Sequence, residues 1–428
     1  MNCKKVIITG GGPAGLFCAY CLVKNSVKVE LYDRMDKPGL KFILAGQSGL
    51  NITNSAEISS FASGYGRDEA FFRTLLDRFS PEDLEKWYNS LGIETYRGSS
   101  GKIFAKVSGS EAVLEKWIDV MENSGLYAFH PGHRLVEILD IPGGRRTLVF
   151  EAAGGARKTV EADYAVFALG GASWPKTGSD GLWADVMERA GAGIVPFAPA
   201  NCGFETAWSE EFKKKAKDLP LKNVKVSCNG KSSRAGLAVT EYGIEGGAVY
   251  ELGREIRKEL HEKGKAELVI DLLPDLSAGS IAKKLGPGSR RGKSSLSNYL
   301  RKTLKISGAD YLLFRELCST DAGVQGDAVF RHPEIFKNLR LTLLCSRPIE
   351  EAISSAGGVS LDCLDSSMML KKKPGFYVIG EMADWEAPTG GFLLQGCFST
   401  AYTAAQDIAG RIRRGTSESA AAGINIIV

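Results

Sequence analysis

Gly10, Gly12 and Gly15 lie between two runs that cannot share one conformation. Val6-Ile7-Ile8-Thr9 is β-branched and reads as a strand, while Ala14 to Lys24, with apolar Leu16, Phe17, Ala19, Tyr20 and Val23, reads as a helix. The chain must therefore turn sharply at the glycines. A second strand, Val27 to Tyr32, follows and ends at Asp33, 18 residues past Gly15. In such a β-α-β unit Gly10 permits the tight turn and Gly12 lets the backbone approach a pyrophosphate with no Cβ in the way. Gly15 lets helix and strand pack closely, and the phosphates face the positive helix N-terminus. Asp33 can accept hydrogen bonds from a ribose hydroxyl and would repel a 2′-phosphate, which points to FAD or NAD and away from NADP.

With 50 glycines in 428 residues the spacing alone is weak, and its strand-turn-helix context gives it weight. The length allows two or three domains. Basic and acidic residues number 54 and 50, a net charge of +4, which predicts neither a nucleic-acid partner nor an acid-seeking surface. The first strand starts a few residues in, leaving no space for a signal peptide, and no apolar run is long enough to span a bilayer. Nine cysteines without a framework spacing suggest a reducing, cytoplasmic compartment. Cys18 and Cys21 form a C-x-x-C inside the first helix and read as core filler.

The rest of the chain decides between FAD and NAD. A simple NAD dehydrogenase would continue with further β-α-β units. Instead, residues 71 to 91 read as helical, with Ser80 as N-cap and Pro81 at the first helical position. A helix from Glu111 to Asn123 follows, opened by Ser108 and Glu111 as a capping box, with a core stripe of Leu114, Trp117, Ile118 and Met121. Strand-like segments at 133–141, 146–152 and 162–171 come next, the last ending in Ala168-Leu169-Gly170-Gly171. Near the C-terminus a strand, Phe376 to Ile379, leads to Gly380-Glu381, then to Gly390-Gly391 and a helix. A carboxylate placed there can bond a ribityl hydroxyl, and a Gly-Gly loop entering a helix can set N–H groups against the electron-rich edge of a reduced flavin. NAD has no use for that remote element, whereas FAD does.

At these residues the chain resembles the HI0933-like family of FAD-dependent flavoproteins, also called BaiN-like or aminoacetone oxidase-like, and within it an uncharacterised flavoprotein clade. The resemblance runs from the N-terminal glycines to about Gly410. It is carried by KFILAGQSGLNITN (41–54), GKIFAKVSGSEAVLEKW (101–117), LGGASWPKTGSDG (169–181), and the Gly-Glu and Gly-Gly-aromatic-x-x-Gln elements at 380–395. It implies an α/β fold of the two-dinucleotide-binding FAD type, Rossmann-like, with an inserted β-rich domain and a small helical subdomain. It further implies that Gly10, Gly12, Pro13, Ala14 and Gly15 hold the pyrophosphate and that Asp33, beside Arg34, holds the adenosine ribose. Val136 would meet the adenine through its backbone. Lys41, Gly49 and Asn51 would lie along the ribityl and flavin, Ala168 and Gly170 beside the cofactor, and Gly380, Glu381, Gly391, Leu393 and Leu394 at the isoalloxazine end. Leu393 stands where many relatives have Asn, and AGQSGLN lacks the family's triple glycine and Arg-Cys.

The expected organisation is a discontinuous FAD-binding domain (1–194 and 346–414), an inserted substrate-side domain (195–345) with a helical subdomain at 276–317, and a tail (415–428). The loop GPGSRRGKSS imitates a P-loop at Gly292-Lys293-Ser294, but Pro287 stands where the motif needs glycine. With Lys283, Lys284, Arg290, Arg291 and Lys293 the same loop reads as a solvated basic segment. No second G-x-G-x-x-G and no C-x4-C redox pair is present, and four histidines supply neither a triad nor a metal cluster. No metal is expected.

Flavin supplies the redox step, and a small molecule is the expected substrate. The reaction is either reduction of an activated C=C, with NAD(P)H docking transiently as electron donor, or oxidation of a small amine by O2. The alternative is a flavin-binding protein that acts on or with RNA, or without turnover. Lys41, near flavin N5, and Trp385, walling the site, are the candidate catalytic side chains. No feature specifies an oligomeric state.

Overall fold

The computed structural model describes residues 4–47, 49–98, 101–139, 145–286, 294–319 and 332–424. It divides into two compact units, Met1–Ala198 with Ser354–Val428, and Pro199–Ile353.

The first unit is built on a five-stranded sheet in the order Phe376–Val378, Tyr164–Phe167, Lys5–Thr9, Lys28–Tyr32, Tyr127–His130, with every pair parallel. A parallel sheet is covered on both faces, and so its strands are continuously apolar. Val6, Ile7 and Ile8 are accordingly fully buried in the central strand. Ile8 pairs with Leu31 on one side and Val166 on the other, which brings the C-terminal strand ends to one edge. An antiparallel meander, His133–Leu139, Arg146–Ala152 and Arg157–Ala162, precedes the Tyr164–Phe167 strand. A smaller antiparallel sheet pairs Lys102–Ala105 with both Asn51–Asn54 and Thr95–Arg97.

The first helix, Pro13–Lys24, packs against the last, Phe392–Ile424, through Phe17 and Phe398, whose ring centroids are 4.7 Å apart. Trp87 and Trp117 close around both rings. Cys18 and Cys21 lie in this core, where burial pushes their thiols well above the ordinary range.

The 71–91 stretch holds two helices, Glu69–Leu76 and Pro81–Ser90; Ser80 caps the second as expected, with Asp83 completing the capping box. Two details differ from expectation. The next helix, Ser110–Glu122, is capped by Gly109 and not by a Ser108–Glu111 box; Ser110 is buried and its hydroxyl donates to the Ile43 carbonyl at 2.9 Å. The expected tail from 415 is a continuation of the last helix to Ile424.

The second unit holds a seven-stranded antiparallel sheet and the helices Gly253–Lys263, Ala278–Leu285, Leu296–Leu304 and Gly308–Ser319. Its longest hairpin, Leu219–Cys228 with Lys231–Val239, turns at Asn229-Gly230, both at positive φ, as a two-residue hairpin requires. The unit extends past the expected limit of 345 because Cys345–Ser346 pairs with Phe204–Glu205 as its edge strand. The P-loop-like and basic positions 287–293 lie outside the described residues. Among the described residues no helix is long and apolar enough to cross a membrane.

Phe398 is fully buried against Phe17, Trp87 and Trp117. Phe398→Ala should cost about 3–5 kcal/mol of stability, read as a shifted urea midpoint followed by tryptophan fluorescence. A loss under about 1 kcal/mol would be ordinary for an exposed position and would contradict this packing.

Candidate active site

The turn after the first strand is fixed by steric exclusion. A Cβ on Gly15 would lie 1.9 Å from the Gly10 carbonyl oxygen, and one on Gly10 would lie 2.3 Å from the Ala168 carbonyl oxygen. Gly10, at φ +99°, donates its N–H to Tyr32 at 2.8 Å. Gly12 differs from both: its Cβ direction meets nothing within 4 Å. Gly12 caps the first helix without any side-chain cap, and Pro13 follows it at the first helical position. The helix N–H groups and their positive field are thus left facing open space.

That space is a cavity of about 380 Å³. It is lined by Gly10, Gly12, Pro13, Ala14, Asp33, Arg34 and Lys41 from the first β-α-β unit, Val136 from the meander, Ala168 and Gly170 after the strand Tyr164–Phe167, and Gly380 and Glu381 after Phe376–Val378. Gly15 lies beneath this wall. Asp33 accepts the Met35 N–H at 2.7 Å and the Gly11 N–H. Burial raises its carboxyl pKa, against the opposing pull of those two N–H groups and of Arg34. Arg34 pairs with Asp180, a partner no local motif reveals. Val136 sits at a register shift, where Leu135 faces Phe150 and Glu137 faces Val149, so the strand ladder gives it no partner.

Lys41, on the helix Leu40–Ala45, reaches both Ser173 Oγ and Glu381 Oε2 at 2.9 Å. This cluster joins the segments that follow the strands Lys28–Tyr32, Tyr164–Phe167 and Phe376–Val378. Ser173 is fully buried, and the sequence reading did not single it out.

The remaining candidates stand elsewhere. Gly49, Asn51, Gly391, Leu393 and Leu394 do not line the cavity. Asn51 donates its side-chain amide to the Thr53 and Ile103 carbonyls, and Gly391 packs so tightly that a Cβ would lie 2.3 Å from the Thr53 backbone. Gln395, also fully buried, accepts the Thr53 hydroxyl at 2.8 Å and donates to the Phe79 carbonyl, fixing the Asn51–Asn54 strand to the last helix. Trp385 is not a wall of this cavity: it is buried against Tyr65 and Phe72 and donates its indole N–H to Gly380 at 2.8 Å.

The residues present fit FAD. An uncapped helix end, an open Cβ direction at Gly12 and a buried carboxylate at the ribose position form one continuous cradle. The two glycines therefore separate ligand binding from folding. Gly12→Ala should leave thermal stability near wild type yet purify with under a tenth of the flavin, since its methyl group enters the cradle. Gly15→Ala should lower stability as well, because no space exists for its Cβ. Flavin absorbance at purification and a thermal melt check both, and full flavin content in Gly12→Ala would refute the placement of the pyrophosphate.

Comparison with known proteins agrees with this geometry. The family model described as "HI0933-like protein Rossmann domain" matches residues 4–407. The 3-dehydro-bile acid delta(4,6)-reductase of Clostridium scindens is 24% identical over 95% of this chain and 100% of its own. The ribosomal RNA dihydrouridine synthase of Escherichia coli K12 is 25% identical over 94% of this chain and 97% of its own. In fold, the chain is similar to a flavocytochrome c3 fumarate reductase (TM-score 0.53, 14% identity, covering 95% of this chain and 78% of that one). It is also similar to a 3-ketosteroid-delta4-(5alpha)-dehydrogenase from Rhodococcus jostii RHA1 (TM-score 0.51, 12% identity, covering 95% and 97%). With the family model spanning nearly the whole chain and an FAD cradle at its strand ends, the protein belongs to the HI0933-like family and is an FAD-dependent oxidoreductase.

Proposed function

We propose that the protein reduces a carbon–carbon double bond conjugated to a carbonyl, with NAD(P)H docking transiently as the electron donor. The observation that carries this reading is the chemistry shared by two full-length relatives. A delta(4,6)-reductase of a 3-dehydro-bile acid and a dihydrouridine synthase both saturate a C=C that is polarised by a nearby carbonyl. No second glycine fingerprint stands in the sequence, in keeping with a donor that visits and leaves.

FAD, when bound, supplies hydride transfer. The chain's own residues do the rest. The backbone at Gly10, Gly12 and Ala14 and the first helix end hold the pyrophosphate, Asp33 takes a ribose hydroxyl, and Val136, which has no ladder partner and whose carbonyl accepts from Arg189 at 3.4 Å, meets the adenine through its backbone. Glu381 and Ser173 hold the Lys41 ammonium inside the cavity and so keep three segments at a fixed spacing around the ligand. Gly49, Asn51, Gly391, Leu393 and Leu394 are assigned to the flavin end, where the Thr53–Gln395 contact keeps their two segments together.

A second reading concerns where the double bond resides. The E. coli relative's name favours uracil within RNA over a small molecule, and both belong in one substrate panel.

The test is anaerobic. NADH or NADPH should bleach the flavin absorbance of the holoenzyme, and an enone or a uridine-containing RNA should restore it faster than air does. Fast reoxidation by air with stoichiometric peroxide, and none by either acceptor class, would overturn the reading in favour of an oxidase. Lys41→Met keeps the stem but strands the Glu381 carboxylate; loss of a charge-assisted hydrogen bond should weaken FAD retention about tenfold, measured by dialysis against apoprotein.

A further inference from the structure

One face of the small sheet, beside the Gly49 and Asn51 assigned to the flavin end, carries side chains that do not line the cofactor cavity. Tyr96 and Phe104 are register partners across Thr95–Arg97 and Lys102–Ala105. Their ring centroids are 5.4 Å apart and their planes within 18° of each other. Tyr96 is 52% exposed, one of few large hydrophobic side chains left open to that extent among the described residues. Nothing crowds the Phe104 ring from two sides because both neighbours are glycines: a Cβ would stand 3.3 Å from it at Gly98 and 3.8 Å at Gly49. Asn51 faces Phe104 on the third strand, so the row runs Tyr96, Phe104, Asn51.

The charge beside this row is unbalanced. Lys106 on the same strand face is neutralised by Glu94 at 2.8 Å. Lys102, two residues before Phe104 and on its face, has no ion pair among the described residues, whereas Arg97, next to Tyr96 in sequence and the partner of Ile103, belongs to the opposite face. The Lys102 stem instead lies along Gly390, 3.3 Å from where a Cβ would be. The exposed Tyr96 ring stacked on the half-buried Phe104 ring, with glycine-cleared approaches and one unbalanced cation, complements a ligand that is flat on one side and anionic on the other.

We infer that Tyr96, Phe104 and Lys102 form the substrate's recognition subsite, which takes a flat conjugated carbonyl compound carrying an oxyanion. The rings lie against the flat portion and Lys102 meets the anionic group. The inference rests on the double-bond-reductase reading for which part of the ligand reacts, but binding itself does not depend on turnover. The oxyanion has two chemical sources, a carboxylate on a small organic acid or the phosphate of a nucleotide.

The experiment is isothermal titration of the oxidised holoenzyme with two probe pairs that differ in charge: cinnamate against methyl cinnamate, and uridine 5′-monophosphate against uridine. The charged member of one pair should bind about fivefold more tightly, as expected for a partly exposed ion pair, and the pair that shows this identifies the source. Lys102→Met should abolish the preference while leaving the neutral probe unchanged. Tyr96→Ala, at an exposed site that tolerates truncation, should weaken both members about fivefold through lost stacking. Flavin content and circular dichroism of each variant establish that it folds. Equal binding within both pairs, no binding of any probe, or variants that bind as wild type does would overturn the subsite. Selective binding without reduction of any acceptor would instead overturn the reaction reading and leave the subsite standing.

Discussion

The fold around the site depends on one steric constraint, the approach of the first helix to the strand turn that precedes it. With 1.9 Å between the Gly10 carbonyl oxygen and the nearest Cβ position of residue 15, only glycine is admitted there. The same turn presses on the next strand, since Gly10 abuts the Ala168 carbonyl. Two backbone contacts thus fix the first helix, the first strand and the Tyr164–Phe167 strand as a single body. Because the helix is held by its backbone, its N-terminal N–H groups are aimed by covalent geometry and not by rotamers. Preorganised dipoles of this kind need no rearrangement when an anionic pyrophosphate arrives.

Parallel pairing turns this local constraint into a site. Strands that run in one direction deliver their following loops to one edge, where ligands of open α/β sheets bind. Thr9, Tyr32, Phe167 and Val378 end strands whose next residues all line the same cavity. The Lys41–Ser173–Glu381 cluster then acts across that edge, joining positions 340 residues apart in sequence. An ion pair between such distant segments restrains the rim in a way the sheet hydrogen bonds, which stop at the strand ends, cannot.

The first β-α-β unit was legible because its signals are local: β-branched residues, glycines and an acid at fixed spacing. The Ser80 cap was legible for the same reason. What escaped reading was set by tertiary context. Tyr127–His130 is a parallel edge strand of four residues, none fully buried, and its apolar run is too short to distinguish a strand from the end of the preceding helix. Ser108 has the spacing of a cap, yet the helix begins beside Gly109 because Ser110 is claimed by Ile43. Trp385 sits in a segment rich in cofactor-side residues, and only the packing of Tyr65 and Phe72 reveals that its ring faces inward. Asp180 and Ser173 have no motif of their own, since their partners Arg34 and Lys41 are more than 130 residues away.

The two ends of the site are therefore built from different materials. The pyrophosphate end consists of backbone held by close contacts, where a single added methyl group at Gly10 or Gly15 collides with a carbonyl. At the other end, the proposed subsite rests on side chains: Tyr96 on an edge strand of the small sheet, and Phe104 and Lys102 on its central strand. Substitution at the first end is penalised by the fold itself, whereas substitution at the second changes shape and charge with little effect on packing. A scaffold of this construction can keep its cofactor geometry while side chains on the small sheet change.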